Sequence, residues 1–329
     1  MTSRAVPAAL LTLVALLGAC GGQAPAAEPA EARSRVPGTQ ASPGASAPAG
    51  SRPAVPLEPG IEIPEGLDEA IAKANATARS ALPDGPDRRV LGADASWPQC
   101  PRGMGIAQKR SKGAPMPTDA AEFVVLGLTN GPSFTPNPCL ADQVAWVRSR
   151  GLLISAYAVV SWPSAATLVR VRDDGPYDGT TRLGALRNAG YAAAAYSLKT
   201  MRTAGLDAPG VWIDVEPVPD FDWSSNTAEN AAVVEGTARG YRDAGLRIGY
   251  YSVPSLWKRV VGDLRTGGAA EWRAAGETSM ATALGRCGSD WSFGGGPAVL
   301  AQWVEDDRDR NVTCPGHGGR LGRWFTRLS

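Results

Sequence analysis

The chain has 329 residues, 33 basic against 32 acidic side chains, and a formal net charge of +1. Charge so nearly balanced gives no electrostatic footprint for nucleic acid, which is excluded as a partner. The single histidine, His317, and five cysteines without metal-ligand spacing argue against a metal site, and no cofactor is implied.

Residues 1–19 read MTSRAVPAALLTLVALLGA, with one positive residue, Arg4, and then an apolar stretch that ends in small residues before Cys20. Signal peptides have apolar cores of roughly 7–15 residues, whereas a membrane-spanning helix needs about 20. The segment Leu17-Gly18-Ala19-Cys20 resembles the bacterial lipobox, in which the thiol is acylated and the chain is cut just before it. An ordinary signal peptide that ends in cysteine is the plainer alternative. The expected location is extracytoplasmic, on the outer face of the cell membrane, with the membrane as a partner through lipid on Cys20. The four remaining cysteines, Cys100, Cys139, Cys287 and Cys314, form an even set in an exported protein, which points to disulfides with three connectivities open.

Residues 20–60 are almost entirely Ala, Pro, Gly, Ser and Glu. They cannot bury enough apolar surface to offset ordering entropy, so a disordered linker with a coil span of about 35 Å is expected. Residues 61–87 form a lead-in with a short helix near 65–80, for which further linker is the competing reading.

From Arg88 to the C-terminus, β-rich runs alternate with helical stretches. Strands are expected near 89–94, 123–128, 152–158, 211–215, 247–251, 270–275 and 298–303, with a short eighth near 309–313. Most are apolar throughout, as strands covered on both faces must be. Helical stripes run through Leu140/Val144/Val147, Ala194/Leu198/Met201 and Val234/Ala238/Tyr241, the last starting at Asn226 and stopping at Gly245. The expected fold is α/β, a (β/α)₈ TIM-type barrel over 88–329. An open doubly wound sheet is the rival, but no Gly-rich phosphate loop follows the first strand.

The chemistry centres on Trp212-Ile213-Asp214-Val215-Glu216-Pro217. Alternation puts Trp212, Asp214 and Glu216 on one face of a strand and Val211, Ile213 and Val215 on the other. Ionised groups inside a packed barrel are tolerated only near its C-terminal mouth. Crowded carboxyls in a partly dry cleft separate into a proton donor and a charge stabiliser, the minimum equipment for cleaving a glycosidic bond. Paired acids that merely cap helices or hold an arginine are the plainer alternative. Asp94 after the first strand and Asp309 at the last bring further acids to the same end. Trp97, Trp162, Trp223, Trp257 and Trp303 also lie at or beyond expected strand ends, where aromatic faces suit sugar rings.

The order G-x-D-x-S-W-x-Q from Gly92, F-V-V-x-x-x-T-x-G from Phe123, S-A-Y from Ser155, W-I-D-V-E, G-Y-Y-S from Gly249 and A-Q-W from Ala301 resembles the family 25 glycoside hydrolases. These are muramidases on a (β/α)₈-type barrel that cut the glycan of peptidoglycan. The signature Ser96-Trp97-Pro98-Gln99-Cys100 is closer to a group of actinobacterial glycoside-hydrolase-like domains. The resemblance implies Glu216 as general acid, with Asp214 stabilising the transition state or positioning the substrate's N-acetyl group. Asp94 and Asp309 would assist, and Tyr157 and Tyr251 would line the cleft beside the tryptophans. It also implies a cell-wall glycan as partner and a monomer.

Two strand ends depart from the family pattern. Gly127-Leu128 stands where a basic residue is usual, and Val159-Val160-Ser161-Trp162 replaces an aromatic-rich end. A wall-glycan-binding lipoprotein without turnover is therefore the competing function. In this barrel order Cys100 and Cys139 follow neighbouring strands and Cys287 and Cys314 bracket the seventh, so disulfides 100–139 and 287–314 are expected.

Overall fold

The apolar runs pair edge to edge until they meet themselves. The computed structural model describes residues 84–328, so the expected signal segment, Cys20, the linker and the helix near 65–80 lie outside the described residues. Eight strands form the ring: β1 (Leu91–Ala95), β2 (Phe123–Gly127), β3 (Leu153–Val159), β4 (Gly210–Asp214), β5 (Arg247–Ser252), β6 (Ala270–Glu277), β7 (Ala298–Glu305) and β8 (Arg308–Thr313). Neighbours from β1 to β7 are parallel. The ring closes through β8, which lies antiparallel between β7 and β1.

Among the described residues six helices pack outside: α1 (Leu140–Ser149), α2 (Ala165–Val171), α3 (Arg182–Ala204), α4 (Thr227–Asp243), α5 (Pro254–Val261) and α6 (Met280–Gly285). The strict eightfold alternation fails at two places. β1 reaches β2 through a long loop with only a 3₁₀ turn at Trp97–Gln99. β7 reaches β8 by a two-residue hairpin at Asp306 and Asp307, both at positive φ, 53° and 55°. That turn geometry matches the twist of a two-stranded ribbon and leaves no length for a helix, so β8 must return antiparallel. No described helix is long and apolar enough to cross a membrane.

Local signals explain the longer helices. Asn226 caps α4 by accepting from the N–H groups of Ala228 and Glu229, and Gly245 at φ 77° ends the segment. Thr181 and Gly205 do the same for α3. The strand alternation is equally literal. Val211, Ile213 and Val215 join the apolar layer between barrel and helices, while Trp212 enters the barrel interior with Phe123, Val125 and Trp272. A Cβ on the facing Gly249 would run into the Trp212 ring, so only glycine fits there.

The N-terminal end of the barrel is closed by the chain's own tail. A two-residue strand, β9 (Thr326–Arg327), pairs with the first residues of β3, below the point where β4 begins. Phe325 then packs on Phe123 at 4.6 Å between ring centroids, and Trp324 stacks on Trp212 at 4.4 Å.

Both expected disulfides are present, Cys100–Cys139 and Cys287–Cys314. In the chain-entropy model each contributes about 4 kcal/mol, and both fasten loops outside the ring. A buried ion pair holds a further loop. Glu271 and Arg273, both on the outer face of β6, are 2.8 Å apart with side chains 0% and 3% exposed. Glu271 also accepts from the N–H groups of Gly294 and Gly296, and Arg273 donates to the carbonyls of Arg286 and Gly288. Removing one member of such a pair strands the other, at a cost of about 3–5 kcal/mol. Arg273→Met is therefore expected to lower the melting temperature by about 10 °C. The double change Glu271→Gln/Arg273→Met should cost less than the two single changes added together, a comparison that thermal denaturation followed by circular dichroism measures directly.

Candidate active site

The C-terminal halves of β3 to β7, with β1 and the start of β8, surround a cavity of about 160 Å³. Its lining is Asp94, Tyr157, Asp214, Glu216, Tyr251, Trp272, Gln302 and Asp309. Asp214 is the last residue of β4. Strand pairing runs one residue further, through Val215 N–H to the Tyr251 carbonyl at 3.1 Å. The Ser252 hydroxyl donates to the Val215 carbonyl at 2.7 Å and the Trp223 indole N–H to the Glu216 carbonyl at 2.9 Å, which fix the turn before Pro217.

Asp94 sits at the centre of a directed hydrogen-bond chain. Its Oδ2 accepts from Gln302 Nε2 at 2.9 Å and from Asn311 Nδ2 at 2.6 Å. The amide oxygens of those two residues accept in turn from the Tyr251 hydroxyl and the Trp272 indole N–H, each at 2.7 Å. Every donor in the chain thus ends on one carboxylate oxygen. Asp214 has the opposite situation: it is buried and its Oδ1 has no hydrogen-bond partner.

Among the described residues none of the four carboxyls makes an ion pair. Burial raises Asp94 well above the usual carboxylate range, the Asp309 charge adds to it, and the two amide bonds oppose it. Burial followed by the charges of Glu216 and Asp94 raises Asp214 in the same way. Glu216 is pushed up to about 7 by burial and then by Asp309, and Asp309 to about 6 by burial. A dry cluster of like charges cannot ionise fully, so protons stay in it at neutral pH. No group of three or more His, Cys, Asp or Glu side chains among the described residues is placed to share a metal ion.

The structure brings Glu216, Asp214, Asp94, Asp309, Tyr157 and Tyr251 to one cavity. Trp223 touches its rim through Glu216, whereas Trp97 and Trp162 are half-buried just beyond β1 and β3 and do not line it. Two tryptophans are elsewhere. Trp303 points outward against Ala283, Ala301 and Val312, because Gln302 takes the inward position on β7. Trp257 lies three residues into the α5 segment and is buried under it against Tyr250 and Phe293. Sequence reasoning missed Trp272 and Gln302. Trp272 is flanked by Glu271 and Arg273, which disguise an inward-facing strand position, and Gln302 stood one residue from the tryptophan that drew notice.

A family model described as Lysozyme-like protein 1 matches residues 185–276. That stretch runs from α3 into β6 and contains Asp214 at the end of β4 and Glu216 two residues beyond it. No curated protein matches the chain. Among solved structures, a family GH25 lysozyme from Aspergillus fumigatus is 17% identical, with 72% of this chain and 100% of that one covered at a TM-score of 0.44. A bacterial lysozyme from Streptomyces coelicolor is 15% identical, with 71% and 97% covered at a TM-score of 0.45. The modular autolysin LytC of Streptococcus pneumoniae, solved with a synthetic peptidoglycan ligand, is 11% identical at a TM-score of 0.41. The match covers 68% of this chain but 46% of LytC, so this chain spans under half of that protein.

The raised carboxyls have a cost in stability. Between the ordinary glutamate value of 4.5 and about 7, the folded state keeps a proton on Glu216 that the unfolded chain has lost. Stability therefore falls as pH rises through that window. Glu216→Gln is expected to melt above the wild type at pH 8, by up to about 3 kcal/mol, and level with it at pH 4. Paired thermal melts at the two pH values measure the difference.

Proposed function

We propose that the barrel is a glycoside hydrolase of the muramidase type, acting as a monomer on peptidoglycan or a related wall glycan. One observation carries the reading: Glu216, held near 7, shares a cation-free cavity with three more carboxyls. Donating a proton to a glycosidic oxygen requires an acid that still holds its proton near neutrality. Glu216 fills that role. Asp214, whose carboxyl is kept well above the usual range by burial and the charges of Glu216 and Asp94, then positions the substrate's N-acetyl group. Asp94, aimed by Gln302 and Asn311, and Asp309 complete the acidic wall. Trp97, Trp162 and Trp223 around the mouth, with Tyr157 and Tyr251 inside it, offer ring faces to sugars. The lysozyme-like match over 185–276 and the ordered motifs of the sequence support the same reading.

A second reading, a wall-glycan binder without turnover, is favoured by the size of the cavity. Its 160 Å³ falls short of the roughly 300 Å³ at which small-molecule sites begin. Purified cell wall incubated with the wild type and with Glu216→Gln separates the two. The hydrolase releases new reducing ends, the variant at least ~100-fold fewer, and the wild-type rate falls about tenfold per pH unit above 7. Equal release from both proteins, or none from either, overturns the hydrolase; wall retention of both without release establishes the binder.

The protein further acts from the outer face of the membrane, held by lipid on Cys20, with residues 21–60 as its tether. The sequence before Cys20 and the two disulfides, which persist in oxidising compartments, support this placement. Cys20→Ser is expected to move the protein from the membrane fraction to the medium, and incorporation of labelled fatty acid should vanish with it.

A further inference from the structure

A second cavity lies at the other end of the barrel, where β5 and β6 begin and Pro297 leads into β7. It measures about 460 Å³. Arg242 flanks it from the last turn of α4, Arg247 from the start of β5, and His317, Arg320 and Arg323 from the 3₁₀ segment Gly318–Arg323 and the residue before it. Between them the wall is apolar, with Ile248, Val299 and the Trp324 ring. Among the described residues the lining has no carboxylate, and none of the four arginines makes an ion pair. Asp87, whose charge reaches His317, is engaged by the N–H groups of Gly316 and Gly318 at 2.9 and 3.0 Å.

Ordinary structural roles account for only part of this cluster. Arg242 is in the last turn of α4, where a cation complements the helix dipole, and it also reaches Tyr250. Arg247 comes from the start of β5, and Arg320 and Arg323 from the last turn of the 3₁₀ segment Gly318–Arg323. Two of these charges act on a common group: the His317 imidazole is held below its ordinary value by burial and then by Arg320, with Arg323 adding to the effect and Asp87 opposing it. Like charges gathered around a cavity repel one another until an anion enters it. Guanidinium forks match phosphate oxygens in pairs.

We propose that this cavity binds an organic phosphate or phosphodiester, with the arginines on the phosphate and Trp324, Ile248 and Val299 against the carbon part. The volume lies within the 300–1,000 Å³ common for small-molecule sites, so a bare phosphate ion would leave most of it unfilled. A ligand of glycerol or sugar size fits better. Such a group is found on soluble or polymeric phosphodiesters and on lipid headgroups alike. The site is independent of the acidic mouth and stands or falls without it.

Titration calorimetry on the full chain tests the assignment with three probes: glycerol 1-phosphate, a short oligomer of glycerol phosphate, and phosphatidylglycerol vesicles against phosphatidylcholine ones. Saturable binding is expected for at least one anionic probe, weakened about tenfold or more in Arg320→Ala/Arg323→Ala and by raised salt. Arg148→Ala/Arg150→Ala, which removes an exposed pair elsewhere, should leave it unchanged. An unaltered thermal melt shows that each variant is folded. Preference for the oligomer or for the anionic vesicle identifies the source of the phosphate, and either preference supports the site. No saturation with any probe, equal affinity in wild type and the Arg320/Arg323 variant, or equal loss in both double variants overturns it.

Discussion

Four carboxyl groups share one dry end of a barrel in which no described cation faces them, and this repulsion shapes everything around it. Left to relax, such groups would turn toward water or draw in an arginine. Here they are held by a closed ring of strands whose register puts Asp214 beside Val159 on one side and Tyr251 on the other. Rigid placement transfers the strain from geometry to protonation, so the groups keep protons instead of moving apart. Asp94 receives two amide donors on one oxygen, which favour its charge, while Asp214 leaves an oxygen unpaired, which does not. The ring therefore sets neighbouring carboxyls in unequal environments, and unequal environments are what separate a proton donor from a charge stabiliser.

Most of this frame could be read from the residues because it rests on short-range rules. The apolar runs, the cap at Asn226 and the i, i+2 spacing of Trp212, Asp214 and Glu216 each depend on a few neighbouring residues, and the structure keeps all of them. What escaped depended on which face of a strand points inward. Trp303 looked like a mouth aromatic, yet one step of register turns it outward and brings Gln302 in. Trp272 was hidden because its neighbours Glu271 and Arg273 make a strand look solvent-facing, when in fact they satisfy each other in a buried pair. Trp257 followed a strand closely enough to suggest the rim, but Pro254 starts a helix there and folds the ring beneath it. The arginines of the opposite end gave no local signal, since they come from a helix end, a strand start and a 3₁₀ segment that meet only when the tail returns to β3.

The reversed last strand ties these observations together. Had a helix followed β7, β8 would run parallel to β1 and offer the mouth only its final residues. The two-residue hairpin at Asp306–Asp307 instead starts β8 at the mouth, so Asp309 and Asn311, two apart, share its inner face at descending depth. Asp309 then lines the cavity with Glu216, and its charge helps to raise that group. Asn311 lies directly across from Gln302 on β7 and beside Gly92 on β1. Two amides paired across neighbouring strands can thus reach the same oxygen of Asp94. The departure from regular alternation is consequently part of how the acidic site is assembled: one short hairpin delivers both a charge that adds to burial in raising Glu216 and one of the two amides that aim Asp94.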